Sequence, residues 1–405
     1  PIKIEGADGF FRTYLIKKLS VLSQGSTLVV TPTEKEAIIV LKDLQTMNDN
    51  VCYFPGWGNI IFSGNNYQSD IAGKRVHYLS ELLTDKKMVI VVSLKTFLTP
   101  VPPAAFIKKR IVKIKIGDNI DPLVWEELLV SYGYLRVTKV NMPGEFSLKG
   151  EVLDIFSYGR DSAIRIVYEW DEIEEIKLFD PITQKSKEKL ERITIYPATE
   201  VLWDKKRIDA LKSILKSGKD ELEMLEIGKS CKNEEFLFST TFDKQGCLID
   251  YMSDKSNIVL IHEDRLLNTW EVLIKETREL YNRARREDLP SVEPELVLKD
   301  FEALIASVKR KIVFPDIKNP DDSRIRFSYE HARSFFGNIN YLKEELAKLK
   351  DAGYKITVFS ESEIQAARIG HILKGYDLDI IPDSISEGFS IPELKLIAIQ
   401  ENEIF

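Results

Sequence analysis

Cysteine and histidine are scarce and unpaired in this chain: Cys52, Cys231 and Cys247 lie far apart, and His77, His262, His331 and His371 are scattered among 405 residues. Without paired spacing there is no disulfide framework and no zinc-ligand set, so a chain without a metal site is expected. Positive charge is short too, with 57 Lys and Arg against 64 Asp and Glu and a formal net charge of -7. A sequence-independent clamp on nucleic acid needs surplus cations, so charge points to protein partners or to a local basic patch. No apolar run reaches the length of a membrane span, and residues 1–6 lack the basic and apolar regions of a signal peptide. A cytoplasmic protein with no membrane partner is expected. The start at Pro1 and the stop at Phe405, straight after an apolar strand pattern, suggest part of something longer.

Hydrophobic residues make up 44% and charged residues 30% of the chain, a globular profile with length for about three domains. Short apolar runs at 27–30, 51–54 and 88–92 alternate with helical patterns at 34–44 and about 72–83. That rhythm predicts a parallel sheet with covering helices. After Pro100, Pro102 and Pro103 the pattern changes to strands at 111–116, 147–156, 163–170 and 173–179, with one helix around 122–132. Mixed signals return from about 197 to 315, including the buried-strand run 258–261 and a long charged helix at 270–287. These complete the first sheet, making the β-rich unit an insertion. A polar stretch at 315–323 reads as a linker, and a small α/β unit follows with helices at 339–350 and 362–373 and strands at 355–359 and 394–399. The expected units are 1–110 with 197–322, the insertion 111–196, and 323–405.

Near the start, Gly6-Ala7-Asp8-Gly9-Phe10-Phe11-Arg12-Thr13 has the outline of a phosphate-binding loop ahead of a helix at 14–22. In a working loop, backbone amides cradle phosphates, a lysine reaches the terminal ones and the hydroxyl binds magnesium. Here Arg12 holds the lysine position, and two phenylalanines crowd a segment where close backbone approach needs small residues. The partner element would be an apolar strand ending in an acidic pair; in 258–264 His262 stands at the first carboxylate position, followed by Glu263. Two defects in one mechanism predict lost catalysis and no bound cofactor. The same glycines equally suit a plain strand-to-helix turn.

The string at 144–156, Gly-Glu-Phe-Ser-Leu-Lys-Gly-Glu-Val-Leu-Asp-Ile-Phe, continues with Ile164-Arg165-Ile166, Trp170-Asp171-Glu172-Ile173 and the run 179–186. It resembles the module shared by the repair protein UvrB and the transcription-repair coupling factors. Phe54-Pro55-Gly56-Trp57 with Lys74-Arg75, Ser334-Phe335-Phe336-Gly337, Gly388-Phe389 and Glu403-Ile404-Phe405 extend the resemblance to the coupling factors along the chain. UvrB would carry an intact phosphate loop and a tyrosine-rich hairpin, whereas residues 55–74 hold Tyr67 as their sole tyrosine. The coupling-factor family is therefore preferred, with a UvrB-like ATP-dependent helicase subunit as the alternative.

The resemblance implies an α/β fold: a degenerate P-loop NTPase-like parallel sheet, interrupted by a small β-rich UvrA-binding domain and followed by a small α/β domain. It implies a non-catalytic role in nucleotide excision repair, recruiting UvrA to stalled RNA polymerase. Polymerase and DNA contacts, ATP and magnesium would belong to later motor domains of a longer parent, a DNA translocase, one of whose domains would mask the UvrA-binding face.

Alternation in 163–170 sends Ile164, Ile166, Tyr168 and Trp170 to one face as core, leaving Arg165, Val167 and Glu169 outward. A strand over 145–152 likewise turns Phe146 and Leu148 away from Glu145, Ser147, Lys149 and Glu151. Were the outward faces neighbours, Lys149 and Arg165 would form a compact basic spot. The resemblance implies that residues at these two positions, with a nearby aromatic, grip UvrA. Lys149 replaces the family's more usual arginine and Glu169 fills the aromatic slot, so Tyr168 becomes the candidate aromatic. Read alone, Lys149 and Arg165 are also ordinary solvated strand residues.

Overall fold

The run Leu28-Val29-Val30 has no polar alternation, and strands of this kind are buried on both faces. In the computed structural model, which describes residues 2–47, 50–65, 67–84, 86–316, 325–376 and 378–405, the strand containing it is buried at every position. The first segment supplies β1 (Ile2–Glu5), α1 (Gly9–Leu22), β2 (Thr27–Thr31), α2 (Glu34–Gln45), β3 (Val51–Tyr53), α3 (Ser69–Leu82) and β4 (Val89–Ser93). Asp8 caps α1 and Thr33 caps α2 through their side chains.

The β-rich unit then contributes β5 (Val112–Lys115), α4 (Pro122–Ser131), β6 (Leu135–Arg136), β7 (Glu145–Lys149), β8 (Val152–Phe156), β9 (Ala163–Glu169), β10 (Glu172–Phe179), β11 (Ser186–Leu190) and β12 (Arg192–Ile195). Strands β6 to β11 form a six-stranded sheet in sequence order, and β5 pairs with β12. The core gathers Phe146, Leu153, Ile155, Ile164, Ile166 and Tyr168 with Trp125 and Leu129 of α4.

Two sequence expectations fail here. The strand predicted over 145–152 is a hairpin: Lys149 pairs with Val152, and Gly150, at φ 56, turns the chain between them. Glu151 therefore leaves the face of Lys149. Trp170, predicted as core, is 91% exposed, because Trp170 and Asp171 form the turn between β9 and β10, at φ 49 and 66, with Glu169 opposite Glu172. Alternation ends one residue before the tryptophan.

Beyond the insertion come β13 (Asn257–Ile261), α5 (Glu263–Arg286) and β14 (Lys311–Phe314). Strand β13 lies between β14 and β2, so segments on both sides of the insertion share one parallel sheet. Its seven strands run β15-β1-β14-β13-β2-β4-β3, where β15 is Ile325–Arg326. Helix α5 begins seven residues before the predicted position 270, since His262 adopts a left-handed conformation that leads directly into it. Most of the predicted linker, from 317 onward, lies outside the described residues.

The last unit holds β16 (Glu330–His331), α6 (Ile339–Asp351), β17 (Lys355–Phe359), α7 (Glu363–Ile372), β18 (Asp379–Ile381), β19 (Phe389–Ile391) and β20 (Leu396–Gln400). Its five-stranded sheet is ordered β16-β19-β20-β17-β18. The protein is thus α/β, with a parallel sheet, an inserted β-rich unit and a small α/β unit.

Arg75 of α3 ties the insertion to the first sheet. It is wholly buried, its guanidinium lies 4.6 Å from the ring centre of Phe54 and 4.2 Å from that of Trp57, and it donates to Glu200 Oε1 and Pro55 O, both at 2.7 Å. Glu200 follows β12, so one cation organises the Phe54-Pro55-Gly56-Trp57 loop and the exit from the β-rich unit.

Candidate functional site

The phosphate-loop outline is realised as backbone and filled by protein. Asp8 Oδ1 accepts from the Gly9 amide at 2.9 Å and from Arg12 Nη1 at 2.7 Å. The same Arg12 nitrogen donates to His262 Nε2 at 2.9 Å, leaving His262 Nδ1 to face Asp316. Burial, and then the charge of Arg12, lower the pKa of His262, favouring a neutral ring. Arg12, Thr13 and His262 thus come together as the sequence suggests. The cation is committed to protein partners, and the Thr13 hydroxyl, wholly buried, bonds to Gly9 O at 3.4 Å. Glu263 is the half-buried first residue of α5.

The crowding phenylalanines have a partner that sequence reading missed. Phe10 and Phe11 pack into a cluster with Phe359, Ile385, Phe389, Ile391 and Ala398 of the third unit. A Cβ on Gly9 would stand 1.7 Å from Glu387 Oε1, and one on Gly6 would stand 1.9 Å from Phe327 O. Glu387 accepts from Tyr329 Oη at 2.8 Å, and Ser386 donates from its amide and hydroxyl to Asp43, at 2.8 and 2.6 Å. Close approach to the glycines is therefore used by the third unit. This arrangement meets the helix terminus with a carboxylate, a charge that a helix N-terminus favours.

On the inserted sheet, register decides which side chains meet. Arg165 faces Asp154 across β8 and β9, donating from Nε and Nη2 to its two carboxylate oxygens, both at 2.7 Å, and from Nη2 to Gln184 Oε1 at 3.2 Å. The hydrogen bonds to Asp154 raise its pKa. Its guanidinium lies 4.4 Å from the ring centre of Phe179. Lys149 is exposed on the same face, but its cross-strand neighbour is Val152, which pairs with Val167. Lys149 and Arg165 are thus two strands and two residues apart, roughly 12 Å by sheet spacings. They flank a face and do not form the compact pair expected.

Tyr168 is not on that face. It is 4% exposed, packs in the core and donates its hydroxyl to Gly150 O at 2.7 Å, because it shares parity with Ile164 and Ile166. The aromatic beneath Arg165 is Phe179, in a small cluster with Val140, Phe156 and Ala163. A register shift in β10 between Ile173 and Glu175 moves Phe179 to that face, across from Ala163, which alternation from Ile173 could not foretell. Lys177 and Lys189, also missed, lie across from one another on the same face, both paired to Glu175, whose pKa they hold down at about 2.

Residues 112–201 match the family model of the UvrB interaction domain. The chain is 29% identical to the transcription-repair-coupling factor of Borreliella burgdorferi, over 99% of this chain and 36% of that protein. It is 23% identical to the namesake of Bacillus subtilis, over 83% of this chain and 32% of that protein. For Staphylococcus epidermidis the identity is 25%, over 100% of this chain and 38% of that protein. The chain spans about a third of the length of these curated relatives.

Proposed function

We propose that this chain, which carries a UvrB interaction domain and is related along its length to the transcription-repair-coupling factors, is a non-catalytic adaptor that recruits UvrA to stalled RNA polymerase. The observation that carries the proposal is the outward sheet face within residues 112–201, where a half-buried Arg165 is fixed by Asp154 and Phe179. A guanidinium oriented before binding loses little freedom on meeting a partner carboxylate, which suits an interface anchor. Lys149 stands on the same face, and Lys177 and Lys189 lie beside Arg165 and share Glu175.

The absence of catalysis is part of the proposal and is supported by the loop at Gly6 and Gly9. Arg12 is bound to Asp8 and His262, and Glu387 lies against the loop. Polymerase and DNA contacts, ATP and magnesium fall to regions of a longer parent, one of which would mask the docking face. No helix among the described residues is long and apolar enough to cross a membrane, and a cytoplasmic location is part of the same reading.

Purified chain titrated against cognate UvrA tests the docking claim. Arg165→Glu should weaken binding at least tenfold and Lys149→Glu less, and equal affinity for both variants and the parent chain would sink it. Titration with ATP and magnesium tests the rest, since measurable hydrolysis would restore the UvrB-like helicase alternative.

A further inference from the structure

Trp170 is the most exposed large apolar side chain described, at 91%, and it stands on a backbone that disfavours it. Trp170 and Asp171, at φ 49 and 66, make a two-residue turn with both residues left-handed. Such turns select Asn-Gly or Asp-Gly, and a bulky aromatic is among the poorest choices. The closing pair adds a second conflict, because Glu169 stands directly opposite Glu172 and like charges across a ladder repel. Folding rewards neither feature. Strain concentrated in this way marks a segment kept for binding.

The tip is also braced by backbone hydrogen bonds. Ile120 donates its amide to Asp171 O at 2.7 Å, Ile173 to Asp118 O at 2.9 Å, and Gly117 to Ile173 O at 2.8 Å. The neighbouring hairpin at Lys149, Gly150 and Glu151 is tied on by the Tyr168 amide to Glu151 O at 3.1 Å and the Tyr168 hydroxyl to Gly150 O at 2.7 Å. Both turns therefore project from the same end of the sheet. In and beside these two turns Glu151, Glu169, Asp171 and Glu172 are exposed, with Lys149 the cation of the adjoining hairpin.

We propose that Trp170 and its acidic collar form a second docking element, which inserts the indole against a basic cleft of the same partner that meets Arg165. Charge complementarity sets the chemistry: a lysine or arginine of the partner stacks on the indole while its neighbours pair with the collar. Continuity with the Lys149 hairpin makes this element an extension of the proposed UvrA face, and the inference rests on that reading.

The test is binding of the whole chain to purified cognate UvrA. Trp170→Ala should weaken binding at least tenfold with unchanged thermal unfolding or a slight gain, Trp170→Phe should restore most of the affinity, and Glu169→Lys with Glu172→Lys should weaken it further. The acrylamide quenching that Trp170→Ala removes from the free chain should be blocked when the parent chain is in the complex; Trp57 and Trp125 are buried and Trp203 and Trp270 half-buried, so the difference between the two chains isolates Trp170. If the parent chain binds UvrA and Trp170→Ala binds within twofold, this element is refuted while the Arg165 face stands. If the parent chain does not bind UvrA, both fall together.

Discussion

Glu387 Oε1 stands 1.7 Å from the point where a Cβ on Gly9 would lie, so this glycine and this glutamate, far apart in sequence, are mutually dependent. Gly6 stands in the same relation to a backbone atom, Phe327 O, at 1.9 Å. Both glycines have positive φ, 67 for Gly6 and 46 for Gly9. A glutamate side chain can swing away, whereas a carbonyl in a paired segment cannot. Gly6→Ala should therefore cost about 2–4 kcal/mol of unfolding free energy and Gly9→Ala about 1–2 kcal/mol. Urea denaturation of the two variants decides it, and equal costs would show that the loop yields at both points.

Asp43 is 2% exposed and takes both hydrogen bonds of Ser386, yet burial raises its pKa to about 6. An acid with a folded pKa above its unfolded one binds more protons in the folded state. Its contribution is then fully present below the unfolded value near 4 and is lost as pH rises through about 6. The swing is on the order of 3 kcal/mol. Asp43→Asn cannot titrate, so the stability of the parent chain relative to this variant should fall between pH 4 and pH 7, measured by chemical unfolding at each pH. A difference that stays constant would remove Asp43 as its source.

Much of the frame was legible because buried parallel strands are continuous apolar runs, as at 27–30 and 88–92. The meeting of the 6–13 segment with the end of the 258–261 strand was legible as well: Arg12 and His262 meet in space. What fills the loop was not, since the contact of Phe10 and Phe11 with Phe389 exists only after two units dock. The outward face was half legible. Alternation assigned Arg165 and Lys149 correctly to it, but their separation depends on the Gly150 turn, and the side taken by Phe179 depends on the register shift after Ile173.

Arg75 and Glu200 offer a sharp test of what joins the insertion to the sheet. Both side chains are buried, at 0% and 2%, and burial drives the Glu200 pKa upward against the pull of Arg75. Removing the cation leaves an unpaired carboxyl in the interior and empties the space between Phe54 and Trp57. Arg75→Ala should cost about 3–5 kcal/mol. The double variant Arg75→Met with Glu200→Gln should recover more than half of that, because it removes both charges. If the double variant is no better than Arg75→Ala, packing against the two rings, and not charge, holds this junction.

The turn at Trp170 and Asp171 makes a prediction about stability that is independent of any partner. Replacing the pair with Asn-Gly supplies residues that favour consecutive positive φ, removes an indole that is 91% exposed, and leaves the bracing amide of Ile120 free to reach the carbonyl at position 171. The gain should be about 0.5–1.5 kcal/mol, seen as a higher denaturant midpoint with an unchanged slope. Glu169→Thr should add a few tenths of a kcal/mol by ending the repulsion with Glu172. A loss of stability on both changes would mean that the indole rests on its neighbours in solution. The tip would then be a packed corner of the sheet and not an anchor held out against folding.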